Sequence, residues 1–207
     1  KNTFMVSKLI NKFLSLFNLR ISRVKSGEPI YPVEASVRDK EIIEYILRPN
    51  AKNEMSKRKA ISMVSIDRLW AVIQATKYIV KNKIPGDFVE CGVWRGGCAL
   101  AMAMVLKDLN EDRKIFLFDT FKGMTEPKSN DIEHYTGLSA RNEFLTFQKE
   151  NYNEWCYASI EDVKEQFKKV GLENKANFIK GDVLKTLSKE SNLPSKIALL
   201  RLDTDWY

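Results

Sequence analysis

Residues 87–97 read DFVECGVWRGG. Five residues rich in apolar and β-forming types run into a glycine turn. An Ala/Met/Leu stretch, residues 99–109, follows at once. A short buried strand that opens through glycines into a helix is the start of a βα unit. The same rhythm repeats downstream. KIFLFD (114–119), ANFIKGD (176–182) and KIALLRLD (196–203) are three further strands. Between the second and third, Ser159-x-x-Asp162 forms a capping box that opens a helix ending at Gly171. Val183–Ser191 is a helix between the third and fourth. Strands separated by helices require parallel pairing with right-handed crossovers, so the expected fold is α/β, a doubly wound parallel sheet in the order 3-2-1-4. Upstream, Ile66, Leu69, Trp70, Ile73 and Val80 mark one face of a long helix that Pro85-Gly86 terminates. A short helix near Val37–Leu47 precedes it, while residues 121–158 read as a long irregular stretch.

The 207 residues suit one domain with an appended segment, and 44% hydrophobic residues supply a proper core. No run approaches the roughly 18–20 apolar residues of a membrane-spanning helix, and no secretory signal precedes the domain. Cys91, Cys98 and Cys156 lack metal-ligand spacing and are expected to be reduced, which favours a cytoplasmic location. The net charge of +7 is uneven. Residues 1–31 carry Lys1, Lys8, Lys12, Arg20, Arg23 and Lys25 against Glu28 alone, a net +5 that leaves only +2 for the rest. The basicity belongs to an arm, and no nucleic-acid motif accompanies it, so nucleic acid is not an expected partner. Residues 4–21 have the pattern of an amphipathic helix with Leu9, Ile10, Phe13, Leu14 and Phe17 on one side. Such a helix docks on its own domain or a second subunit, making a homodimer, or lies on the inner membrane surface. The expected organisation is an arm or lid over residues 1–60 and a ligand-binding domain over 61–207. Strand four would be left as an apolar edge, so the sequence is expected to continue beyond Tyr207 or to have that edge covered.

In doubly wound sheets ligands bind beyond the carboxyl ends of the strands. Four acids gather there: Glu90, Asp119, Asp182 and Asp203. The turn carrying Gly92 and Gly96-Gly97 lets backbone approach a ligand, yet its spacing matches neither a dinucleotide fingerprint nor a P-loop. Asp119 is placed to accept both hydroxyls of a ribose. Glu90, beside the first glycine, repels a pyrophosphate and suits an ammonium. A ribose and an ammonium without a phosphate describe S-adenosylmethionine better than NAD. Asp203-Thr204-Asp205 is a candidate metal pair, and its oxygen-only ligation suits magnesium. The same Asp-x-Asp also fits a metal-dependent nucleotide-sugar glycosyltransferase, and a cofactor-binding protein without turnover is a third possibility.

PGDFVECGVWRGG (85–97), IFLFDTFKGM (115–124) and IALLRLDTDWY (197–207), with ISMVSIDRL (61–69) upstream, resemble the macrocin O-methyltransferase (TylF-like) family. The resemblance implies a class I methyltransferase (Rossmann-like) fold, interrupted at the C-terminus, and methyl transfer to a sugar hydroxyl of a small-molecule or glycan acceptor. It implies that Glu90 and Gly92 hold the methionine part of the cofactor, with Ser62 and Met63 closing over it. Asp119 would take the ribose, with Thr120 and Phe121 beside the adenine and Asp182 facing its amino group. Asp203 would be both the first magnesium ligand and the base. The family draws its remaining metal ligands from an Asp-Asp pair after a further strand.

Overall fold

The computed structural model describes residues 29–47, 60–132, 137 and 139–204. The expected helix over 4–21 lies outside the described residues, as does Asp205. Four strands, β1 (Asp87–Cys91), β2 (Ile115–Asp119), β3 (Ala176–Lys180) and β4 (Ile197–Leu202), form one sheet in the order β3-β2-β1-β4. Every pair is parallel. The order anticipated from the alternating strands and helices is therefore the one formed. β2 and β1 are the central strands, and β4, at one edge, pairs with a β1 that lies more than 100 residues earlier in the chain.

Helices α1 (Val37–Leu47), α2 (Ile66–Lys81) and α3 (Gly97–Asp108) share the larger core cluster with Phe88, Ile115 and Leu117. Residues Gly97 to Leu106 of α3 are all buried, which explains the lack of any polar stripe in GCALAMAMVL. Ile42, Ile43 and Ile46 of α1 are almost wholly buried in the same cluster. The compact unit accordingly begins at Tyr31 rather than at the compositional boundary near residue 60. A smaller cluster, Val89, Cys91 and Phe118 with Ile179, Val183 and Leu187 against it, lies apart from the first. All three cysteines are free thiols.

Two elements differ from the expectation. The stretch read as irregular contains α4 (Ala140–Phe147), whose N-cap Ser139 accepts from the Arg141 amide. The helix after β3 is only α6 (Val183–Thr186), because its end is closed at once. Asn192 Nδ2 donates to the Thr186 carbonyl and Ser188 Oγ to that of Lys185. Between them α5 (Ile160–Lys169) begins as the capping box requires, with Ser159 Oγ accepting from the Asp162 amide at 3.1 Å. Ile197, Leu200 and Leu202 on β4 are exposed apolar side chains, and no described residue pairs with the outer edge of this strand.

Candidate functional site

The carboxyl ends of the strands open into a cavity of about 560 Å³, within the range that holds a nucleoside-sized ligand. Ser62, Met63, Glu90, Gly92, Asp119, Thr120, Asp182 and Asp203 all line it. Met63 stands well exposed, while Ser62 is pinned between the Val64 amide and Cys98 Sγ. Arg95 Nη1 donates to the Ala60 carbonyl at 2.6 Å and so ties this strap to the glycine loop. A Cβ on Gly97 would sit 2.5 Å from Ser62 Cβ, so only glycine lets the strap cross the start of α3.

Asp119 is the organiser of the glycine loop. Its Oδ2 accepts from the amides of Val93 (2.6 Å) and Trp94 (3.1 Å), and its Oδ1 from that of Phe121 (2.7 Å). Trp94 and Phe121 both have left-handed backbones, with φ of 46° and 51°. Such conformations cost about 1–2 kcal/mol each for non-glycine residues and persist where surrounding bonds over-determine them. One carboxylate supplies those bonds on both sides. Asp182 has a similar double duty: it lines the cavity, and its Oδ1 caps α6 through the Leu184 amide at 2.9 Å.

Two expected cofactor residues stand elsewhere. Phe121 does not line the cavity: its ring is buried in the larger core cluster beside Phe178, and its amide donates to Asp119 Oδ1. Gly96 is the N-cap of α3 with φ of 80°, and a Cβ there would meet Val163 Cγ1 at 2.7 Å. Its missing side chain admits α5 rather than a ligand.

Glu90 and Arg201 are register partners on β1 and β4. Arg201 Nη1 donates to Glu90 Oε1 at 2.7 Å, and Nη2 to Asp203 Oδ2 at 2.8 Å. Arg201, inside an otherwise apolar strand, thus has two ion-pair partners. Glu90 Oε2 is buried and accepts no well-formed hydrogen bond from a described residue, the Ala99 amide being the backbone donor that faces the carboxyl. Burial pushes the Glu90 carboxyl up from its ordinary 4.5 to about 7, against the opposing pull of the Arg201 charge. Burial is the largest influence and lowers the Arg201 pKa, but the charges of Glu90, Cys98 and Asp203 and the Asp203 hydrogen bond together leave it raised. A carboxyl raised on folding contributes stability that is complete below its unfolded pKa and is lost as pH climbs through the folded value. The parent chain should therefore lose stability relative to Glu90→Gln, by roughly 1–3 kcal/mol, as pH rises from about 4.5 to about 7. Urea unfolding of the two proteins across that window measures it, and a constant difference would contradict the assignment.

The magnesium expectation meets a different geometry. Among the described residues no three His, Cys, Asp or Glu side chains come together as a metal ligand set. Asp203 Oδ2 is already engaged by a guanidinium. These residues do not by themselves fit the ion.

Sequence reading missed the cavity wall from Gly123 to Asp131, together with Cys156 and Arg68. One signal was present: Gly123 has φ of 80°, and a Cβ there would overlap the Asn153 carbonyl at 1.9 Å. That glycine brings residues 153–156 against the wall. Tyr152 and Tyr157 stack on each other at 4.6 Å.

The family model described as macrocin-O-methyltransferase (TylF) matches residues 33–207. Demethyldecarbamoylnovobiocin O-methyltransferase of Streptomyces niveus is 29% identical over 155 residues, covering 72% of this chain and 53% of that protein. Mycinamicin III 3''-O-methyltransferase of Micromonospora griseorubida is 28% identical over 155 residues, covering 72% and 56%. The chain thus spans about half the length of the curated relatives it matches. Among solved structures, the O-methyltransferase NovP superposes with a TM-score of 0.63 at 23% identity, over 83% of this chain and 73% of that one. This likeness shows the fold, a Rossmann-like methyltransferase sheet. The family match also displaces the glycosyltransferase alternative.

Proposed function

The chain belongs to the macrocin-O-methyltransferase (TylF) family, and from that premise we propose that it moves the methyl group of S-adenosylmethionine to a hydroxyl of a sugar or glycoside. The observation that carries the reading is Glu90: a buried carboxylate lining the cavity, with one oxygen on Arg201 and the other accepting no well-formed hydrogen bond from the described residues. An unpaired buried carboxylate oxygen is costly, and the ammonium of the cofactor's methionine part supplies the missing partner. Asp119 then takes the ribose on the neighbouring strand, and Asp182 and Thr120 flank the adenine.

The reaction is an in-line displacement. The acceptor oxygen forms a bond to the sulfonium methyl carbon, the carbon–sulfur bond breaks, and S-adenosylhomocysteine leaves with the electron pair. Positioning supplies much of the rate. The hydroxyl proton passes to Asp203, whose Oδ1 stays open while Oδ2 is held by Arg201.

Calorimetric titration is the test. S-adenosylhomocysteine should bind at about 10 µM or tighter, a free energy near 7 kcal/mol, while UDP- and GDP-sugars give no heat. The reverse pattern would sink the proposal. Binding without methylation of any supplied glycoside, with and without magnesium, would favour the binding protein without turnover.

A further inference from the structure

We propose that Arg201 is a positioning residue that joins the two halves of the site, setting Glu90 for the cofactor's ammonium and Asp203 for the acceptor. The inference rests on the cofactor reading above and deepens it. Its basis is a fork. Arg201 stands opposite Glu90 across the β1–β4 ladder and two residues before Asp203, so all three side chains share one face of the sheet. One guanidinium nitrogen reaches Glu90 at 2.7 Å and the other reaches Asp203 at 2.8 Å. The planar guanidinium fixes the separation of its nitrogens and hence the spacing of the two acids.

The charge matters as much as the shape. A carboxylate as buried as Glu90 keeps its ionised form only beside a cation with good hydrogen-bond geometry. Arg201 pulls the raised Glu90 pKa back down, so its loss would favour the protonated carboxyl, which offers an incoming ammonium a dipole instead of a charge. A pair built only to hold the strands together would satisfy both carboxylate oxygens, yet among the described residues Oε2 accepts no well-formed hydrogen bond. Arg201 also lines the cavity, which puts the fork at the site rather than beneath it. It touches no reacting atom and acts through the two acids.

The test compares two ligands on the same chain by calorimetry. S-adenosylhomocysteine carries the ammonium, and methylthioadenosine has the adenosine but no amino-acid part. In Arg201→Gln, S-adenosylhomocysteine should weaken by about tenfold or more, as expected for loss of a charge-assisted contact, and methylthioadenosine by less than about twofold. In Arg201→Lys a cation remains beside Glu90, so the ratio of the two affinities should stay within about threefold of the parent. Equal losses for both ligands in Arg201→Gln, or none, would overturn the assignment. If Arg201→Gln gives no folded protein by circular dichroism, Arg201→Lys decides alone, and a collapsed ratio there refutes the inference. A parent chain that binds both ligands equally well overturns it while leaving the cofactor reading in place. A parent that binds neither removes both.

Discussion

Replacing Gly92 by alanine should abolish S-adenosylhomocysteine binding and cost about 3–5 kcal/mol of stability, much of a domain's usual margin. Two effects add. The backbone at Gly92 has φ of 82°, a left-handed conformation that costs a residue with a Cβ about 1–2 kcal/mol. The added methyl would also lie 2.0 Å from the Asp203 carbonyl oxygen and 2.6 Å from its carbon. Backbone rather than a flexible side chain is in the way, so the ends of β1 and β4 must part. That separation breaks the 2.8 Å bond from the Asp203 amide to the Cys91 carbonyl and pulls the Arg201 fork from Glu90. Gly171 supplies the control. Its φ is 66°, but a Cβ there meets nothing within 4 Å, so Gly171→Ala should lose only about 1 kcal/mol. Urea unfolding and calorimetry read both variants. Equal stability of the two would show that the close approach at Gly92 is unimportant.

Asp119→Ala should weaken S-adenosylhomocysteine by about a hundredfold or more and cost about 3 kcal/mol of stability. The stability loss comes from the three amides of Val93, Trp94 and Phe121 that would lose their acceptor. The binding loss has two sources: the ribose loses its partner, and two left-handed residues lose what holds them. Asp119→Asn keeps one acceptor oxygen and should fall between parent and alanine in both measurements. A hundredfold binding loss with unchanged stability would assign Asp119 to the ribose alone. Unchanged binding would remove it from the site.

The strands were legible because each is a short apolar run bounded by Pro, Gly or charged residues, and because alternation with helices leaves few topologies. Ser159 and Asp162 announced α5 through local capping chemistry. α4 was hidden: in ARNEFLTF only Ala140 and Phe144 are buried, too few for a periodic signal. In the site, acids at strand ends could be placed from position alone, but their hydrogen bonds could not. Nothing in the order of residues says that Asp119 spends its oxygens on amides 25 and 26 residues earlier. The same limit applies to Gly96 and Gly92. Both have positive φ, yet one admits a neighbouring helix and the other a neighbouring strand, and only the fold distinguishes them.

The β1–β4 pairing also sets when the site comes into being. Glu90 and its guanidinium partner are 111 residues apart. During synthesis β1, its glycine loop and β2 leave the ribosome long before β4 does. Through that interval the central strand carries an acid without its cation and a bare edge where β4 belongs. Closing so long a loop is slow and exposes partly formed sheet. β4 therefore adds its share of the core and the cation of the ligand site in a single event, so a nascent chain short of Arg201 has neither.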